Sequence, residues 1–264
     1  MDETELCLFW GFIFAAAWAW IAWYWSLARV PNFVSPARYR TPLLYTPLLC
    51  LILLYLVLRA LASFDVVNSL TYLSFYMLFG AAWVGVCAFA LPYLGLSARD
   101  DVVERRNSAA TYAITGALIG LTFCYAGGNI GDGPGWWVVL FVVSLATGSF
   151  FAIWGLLEVL THVGEMVTID RDPSAGVRLG GFLIAAGMIL GRAAAGDYKS
   201  MEQQFGDFVL HGAPVLLLLV VAVLLERALR PRVERPMSPA VMGIVPALIY
   251  IGGAALVLWQ LGAV

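Results

Sequence analysis

Long apolar runs constrain this chain more than any other feature, because they leave little sequence for anything else. They fall at about 6–27, 42–63, 69–97, 109–127, 136–160, 174–195, 208–229 and 239–260. Each reaches the roughly 20 residues that carry a helix across the hydrocarbon core of a bilayer. Lipid offers no partners to bare backbone, so a spanning segment closes its hydrogen bonds within itself as a helix. The expected fold is an all-α membrane protein with eight transmembrane helices. Charge agrees: Asp, Glu, Lys and Arg make up 12% of the chain, where a soluble domain carries about 25%. That excludes a soluble enzyme, a disordered tail and a broad basic face. With a net charge of -2, no attraction to nucleic acid is expected. Cys7, Cys50, Cys87 and Cys124 lie in apolar runs, with no CxxC and no Cys/His cluster. They read as buried thiols. The acidic start, Asp2, Glu3 and Glu5, is unlike a secretory leader, so the first run reads as a retained helix.

Orientation follows from the basic residues. Links after odd-numbered spans, with their flanks, hold Arg29, Arg38, Arg40, Arg99, Arg105, Arg106, Arg171, Arg178, Arg227, Arg230, Arg232 and Arg235. The opposite side holds Arg59, Arg192 and Lys199. Twelve against three places the odd-numbered links in the cytoplasm and both ends of the sequence outside.

The even spans begin alike, at Thr41-Pro42, Asn107-Ser108, Asp172-Pro173 and Ser238-Pro239. Thr, Asn, Asp and Ser are good helix caps, since a side-chain oxygen accepts from free N–H groups of the first turn. Proline suits the first helical position because it has no N–H to leave unpaired. The caps Thr41, Asn107, Asp172 and Ser238 stand 66, 65 and 66 residues apart. The spacing predicts four parallel two-helix repeats of about 65 residues. Residues 98–196, spans four to six, carry the repeat most clearly. Residues 1–97 form a divergent N-terminal part and 197–264 a C-terminal helix pair, all within one membrane domain.

The stretch Arg105-Arg106-Asn107-Ser108-Ala109-Ala110, followed by Gly116-Ala117-Leu118-Ile119-Gly120, recurs as Arg171-Asp172-Pro173-Ser174-Ala175-Gly176, then Gly180-Gly181-Phe182-Leu183-Ile184. This resembles the YjfL-type family of small bacterial inner-membrane proteins, whose members carry two such helix-pair units. The resemblance covers about 98–196 best, and the chain looks like two family-sized halves fused, the first divergent. It implies a multi-pass inner-membrane protein associated with envelope-stress gene neighbourhoods. It supplies no catalytic residue and no cofactor.

Among ionisable groups, Glu158, His162 and Glu165 share one helical face near the inner end of span five. Such a face can contribute to a metal site in a bundle, given matching ligands on other helices. The other histidine, His211, lies near the outer end of span seven, with Asp207 one turn before it. No nucleophile accompanies them. Arg178, at similar depth on span six, is the expected ion-pair partner of Glu158. The link Gly127–Gly135 lacks the Lys and Ser/Thr of a phosphate loop and reads as a compact outward turn. Gly176, Gly180, Gly187 and Gly191 form small-xxx-small pairs for close helix packing, internal or between copies. Arg40, Arg106, Arg171 and Arg235 stand beside helix starts, where anionic lipid head groups or an acidic partner would be attracted.

The function these features favour is that of a non-enzymatic inner-membrane protein, a structural or scaffold subunit working with other membrane subunits or as a homo-oligomer. An ion channel or small-solute transporter is the alternative. A metal-binding membrane protein using Glu158 and His162 is the third.

Overall fold

The computed structural model describes residues 2–30, 37–230 and 239–262. Among these residues eight helices are long and apolar enough to cross a membrane. The elements are α1 (Glu3–Ala28), α2 (Ala37–Leu61), α3 (Phe64–Asn68), α4 (Leu70–Ala88), α5 (Ser108–Gly127), α6 (Trp136–Thr161), α7 (Val163–Thr168), α8 (Pro173–Ala194), α9 (Met201–Gly212), α10 (Pro214–Ala228) and α11 (Pro239–Leu261). The first six spans are α1, α2, α4, α5, α6 and α8. The seventh is α9 continued by α10 across Ala213, and the eighth lies within α11.

Besides the earlier start of α2, at Ala37, two spans differ from the sequence expectation. The third ends at Ala88 rather than near 97, and the chain continues in a short 3-10 turn, Leu91–Leu94, and a π-helical turn, Ala98–Glu104. Pro92 sits in the first turn of the 3-10 segment, where its missing N–H leaves nothing unpaired. The seventh starts earlier, at Met201, because Ser200 caps it by accepting from Gln203 N.

Proline also shapes the interior of two spans. Pro47 in α2 has no N–H to offer the Leu43 carbonyl one turn back. The Trp23 indole of α1 donates to that oxygen at 3.3 Å instead. Pro246 in α11 likewise frees the Met242 carbonyl, which receives Arg178 of α8 at 3.0 Å. Each proline thus turns a backbone acceptor outward, and a neighbouring helix supplies the donor.

The even spans stand in a row, α2 against α5, α5 against α8 and α8 against α11. The odd spans pack alongside, α1 on α4 and α6 on α8 and α10. The centre is α5 and α8: 78% and 83% of their apolar windows are buried, against 17% for α1. Trp10, Phe14, Trp18, Ile21 and Trp25 of α1 therefore face outward. Cys50 and Cys124 are buried and Cys87 partly so, but Cys7 is exposed on α1, correcting the expectation of four buried thiols.

Candidate functional site

At the N-terminal ends of the even spans, two of the four expected caps act as caps. The Asn107 side chain accepts from Ala109 N and Ala110 N, and that of Asp172 from Ser174 N and Ala175 N. The residues before them, Arg106 and Arg171, share a left-handed backbone at φ 56 and φ 54. Asn107 N donates to Asp101 O at 3.1 Å, and Asp172 N to Met166 O at 3.0 Å. Asn107 Nδ2 also reaches Val167 O at 2.7 Å, tying the start of α5 to α7. Thr41 is not a cap. It lies inside α2, which begins at Ala37, so Pro42 falls beyond the first turn. Ser238 and Arg235 lie outside the described residues.

Above these caps α5 and α8 run together backbone to backbone. Gly176 sits on Ala109, Gly180 on Tyr112 and Gly116, Gly187 on Gly120, and Gly191 on Phe123 and Gly127. A methyl group at Gly116 would collide with the Gly180 backbone, and one at Gly127 with that of Gly191. All four glycines expected to serve packing therefore face one neighbouring helix of the same chain. The links after the two helices also join. Gly196 N donates to Ile130 O at 2.9 Å, Asp132 N to Asp197 Oδ1 at 2.8 Å, and Tyr198 N to Asp132 O at 2.8 Å.

The opposite face of α8 carries the charged centre. Arg178 is fully buried, yet its partner is not Glu158. Nε and Nη2 donate to the two carboxylate oxygens of Glu226 on α10, each at 2.8 Å. Nη1 donates to the proline-freed Met242 carbonyl on α11. The side-chain exposures are 0% and 2%, so the geometry must be complete for the pair to persist away from water. It is complete: both carboxylate oxygens and all three guanidinium nitrogens are engaged. The cause of the changed partner is helical phase. Gly181 packs on Ala247 and the Phe182 ring meets Tyr250 edge-on, so this face of α8 looks toward α11 rather than α6. Tyr250 keeps a buried hydroxyl without a partner among the described residues.

Glu158 has a local task instead. α6 ends at Thr161 because His162 turns left-handed at φ 53, and the Glu158 carboxylate folds across this break to accept from Gly164 N at 2.7 Å, in the first turn of α7. The open carbonyls at the end of α6 receive arginines from the last turn of α10 and just past it: Arg227 Nη2 to Leu160 O at 3.3 Å and Arg230 Nη2 to Thr161 O at 2.6 Å. Cations at a helix C-terminus also suit its dipole. His162 and Glu165 are exposed, and among the described residues no group of three His, Cys, Asp or Glu is placed to hold a metal ion. Asp207 is exposed and His211 half-buried, with no hydrogen bond joining them among the described residues.

Sequence reasoning missed Glu226. Its signal was weak but present: a carboxylate directly closing the long apolar run Pro214–Leu225, at the same end of the bundle as Arg178. Glu226 reads as an ordinary interfacial residue until its helix is placed against α8.

Residues 133–260 match the model of a family described as Domain of Unknown Function (DUF350). The match points to a membrane-type family of unknown function. It covers just under half of the chain, from the link before α6 to the last turn of α11. It therefore contains the whole Arg178–Glu226–Met242 centre, and it begins later than the 98–196 stretch on which the sequence resemblance was strongest. No curated protein and no solved structure matches the chain.

Proposed function

We propose that this protein is a non-enzymatic, multi-pass protein of a bacterial inner membrane that serves as a structural subunit of a membrane assembly. The observation that carries this reading is the α5–α8 seam, where backbone meets backbone along the whole length of two central spans. A solute path through that seam would require parting two backbones that touch directly at the glycine positions. The Arg178–Glu226 pair supports the same reading, because a fully engaged buried pair acts as a clasp across α8, α10 and α11.

The proposed arrangement is four parallel helix pairs, with the odd-numbered links cytoplasmic and both ends of the sequence on the far side. The 66, 65 and 66 cap spacing and the matching backbones at Arg106 and Arg171 support the repeat. The basic residues support the orientation. A divergent N-terminal part, a clearer repeat core and a C-terminal helix pair remain the proposed divisions. Anionic head groups or an acidic partner at the cytoplasmic arginines, and other subunits or further copies in the bilayer, are the proposed partners.

The test is purification of the full chain in mild detergent, with mass by light scattering and identification of co-purifying membrane subunits, beside ion and small-solute flux in proteoliposomes. A defined assembly without flux is expected; a monomer with robust flux establishes the channel reading instead. Reporter fusions at Gly133 and Arg171 should report opposite sides, and a common side for both overturns the orientation.

A further inference from the structure

The C-terminal ends of all four even spans surround a cleft of about 430 Å³, within the roughly 300–1,000 Å³ typical of ligand pockets. Its walls are apolar: Val57 and Leu61 of α2, Phe123 and Ala126 of α5, Met188 of α8 and Leu258 of α11. Among the described residues that line it, Arg192 is the single ionisable one. Arg192 Nη2 donates to the Leu261 and Gly262 carbonyls at 3.2 Å each, closing the end of α11. Nη1 has no partner among the described residues.

We propose that this cleft binds one anionic glycerophospholipid, an acyl chain lying along the apolar wall and the phosphate resting on Arg192. Three observations carry this. The walls offer an acyl chain what the bilayer offers it, with a fixed shape added. The guanidinium stands at the helix ends, the depth at which a lipid presents its phosphate, and Arg is well suited to a phosphate through more than one N–H. The cleft contains no carboxylate among its described lining residues, so an anionic lipid leaves the site neutral. A zwitterionic lipid leaves an ammonium with no acid there to meet it. The site lies at the opposite membrane face from the many arginines beside the inner caps, so it is separate from any head-group attraction there.

The test uses the full-length protein in detergent, stripped of lipid and offered phosphatidylglycerol, phosphatidylethanolamine or palmitate one at a time. Native mass spectrometry reads the fraction carrying one lipid. Phosphatidylglycerol should be retained about fivefold better than phosphatidylethanolamine, the equivalent of one basic residue's attraction for an anionic lipid. Arg192→Met should abolish that preference. Because Arg192 also closes α11, a second variant leaves it in place: Ala60→Trp, at an exposed position on the cleft wall, should block retention of both phospholipids. Equal retention of the two phospholipids by the unmodified protein overturns the proposal. So does an unchanged preference in Arg192→Met, unchanged retention in Ala60→Trp, or palmitate held as well as phosphatidylglycerol.

Discussion

The pairs α5 with α8 and α1 with α4 are both parallel helix pairs, and they are built from opposite materials. In the first, glycines face backbone: Gly116 on Gly180, Gly120 on Gly187, Gly127 on Gly191. In the second, rings face rings: Phe12 stacks on Phe79 at 4.2 Å and Phe9 on Phe75 at 6.4 Å, while Trp20 Nε1 donates to Ala81 O at 2.9 Å. Without a hydrophobic drive between helices in lipid, association rests on close contact and interhelical hydrogen bonds. The glycine seam obtains contact by bringing axes together, which suits a pair enclosed on nearly all sides. The aromatic pair fills much of its contact with rings, beside a small-residue contact of Gly85 on Ala19, which suits a pair at the edge of the bundle. The central pair is therefore intolerant of added atoms, whereas the edge pair has rotamers with which to adjust.

The largest effect is expected on the far face of α8, where the centre is held by charge. Glu226→Gln leaves a fully buried guanidinium without a counter-ion, which should cost about 3–5 kcal/mol of stability in detergent unfolding. Adding Arg178→Met should recover much of it, and Glu158→Gln should cost far less than Glu226→Gln. Equal losses at Glu158 and Glu226 would show that the clasp is misassigned. Within the seam, Gly116→Val should cost about 1–3 kcal/mol or more through overpacking against the Gly180 backbone. The smallest effect belongs to the edge pair: Phe12→Leu loses one stacked partner and should cost about 1 kcal/mol. If Phe12→Leu destabilises as much as Gly116→Val in the same unfolding assay, the contrast between rigid centre and adaptable edge fails.

Much of the fold was legible because the relevant chemistry is local. Run length alone placed the eight spans. Asn107 and Asp172 were legible as caps because each side chain acts on backbone two and three residues ahead. Thr41 carried the same signature and fails as a cap, because the helix already starts at Ala37 and Thr41-Pro42 falls within it. The small-residue spacing on α8 announced close packing without saying against what. The charged centre is half legible: Arg178 in an apolar span calls for an acid, and Glu158 is nearer to it in chain order than Glu226. Sequence separation is a poor guide there, since the phase of α8 about its axis decides which neighbours Arg178 meets. The proline-freed carbonyl of Met242 was the least legible part, because a missing N–H acquires meaning only when another helix brings the donor.

The ion pair also has a history in time. Arg178 leaves the ribosome 48 residues before Glu226 and 64 before Met242. At about 5–20 residues per second, the first interval lasts roughly 2–10 s. During it the sixth span is complete but its guanidinium has no carboxylate, and a long side chain in that position reaches for the head groups. The sixth span is therefore complete before its counter-ion exists, and the pairing that buries Arg178 has to wait for the seventh span to deliver Glu226. The last quarter of the chain completes the burial of a charge that translation has already committed to the membrane.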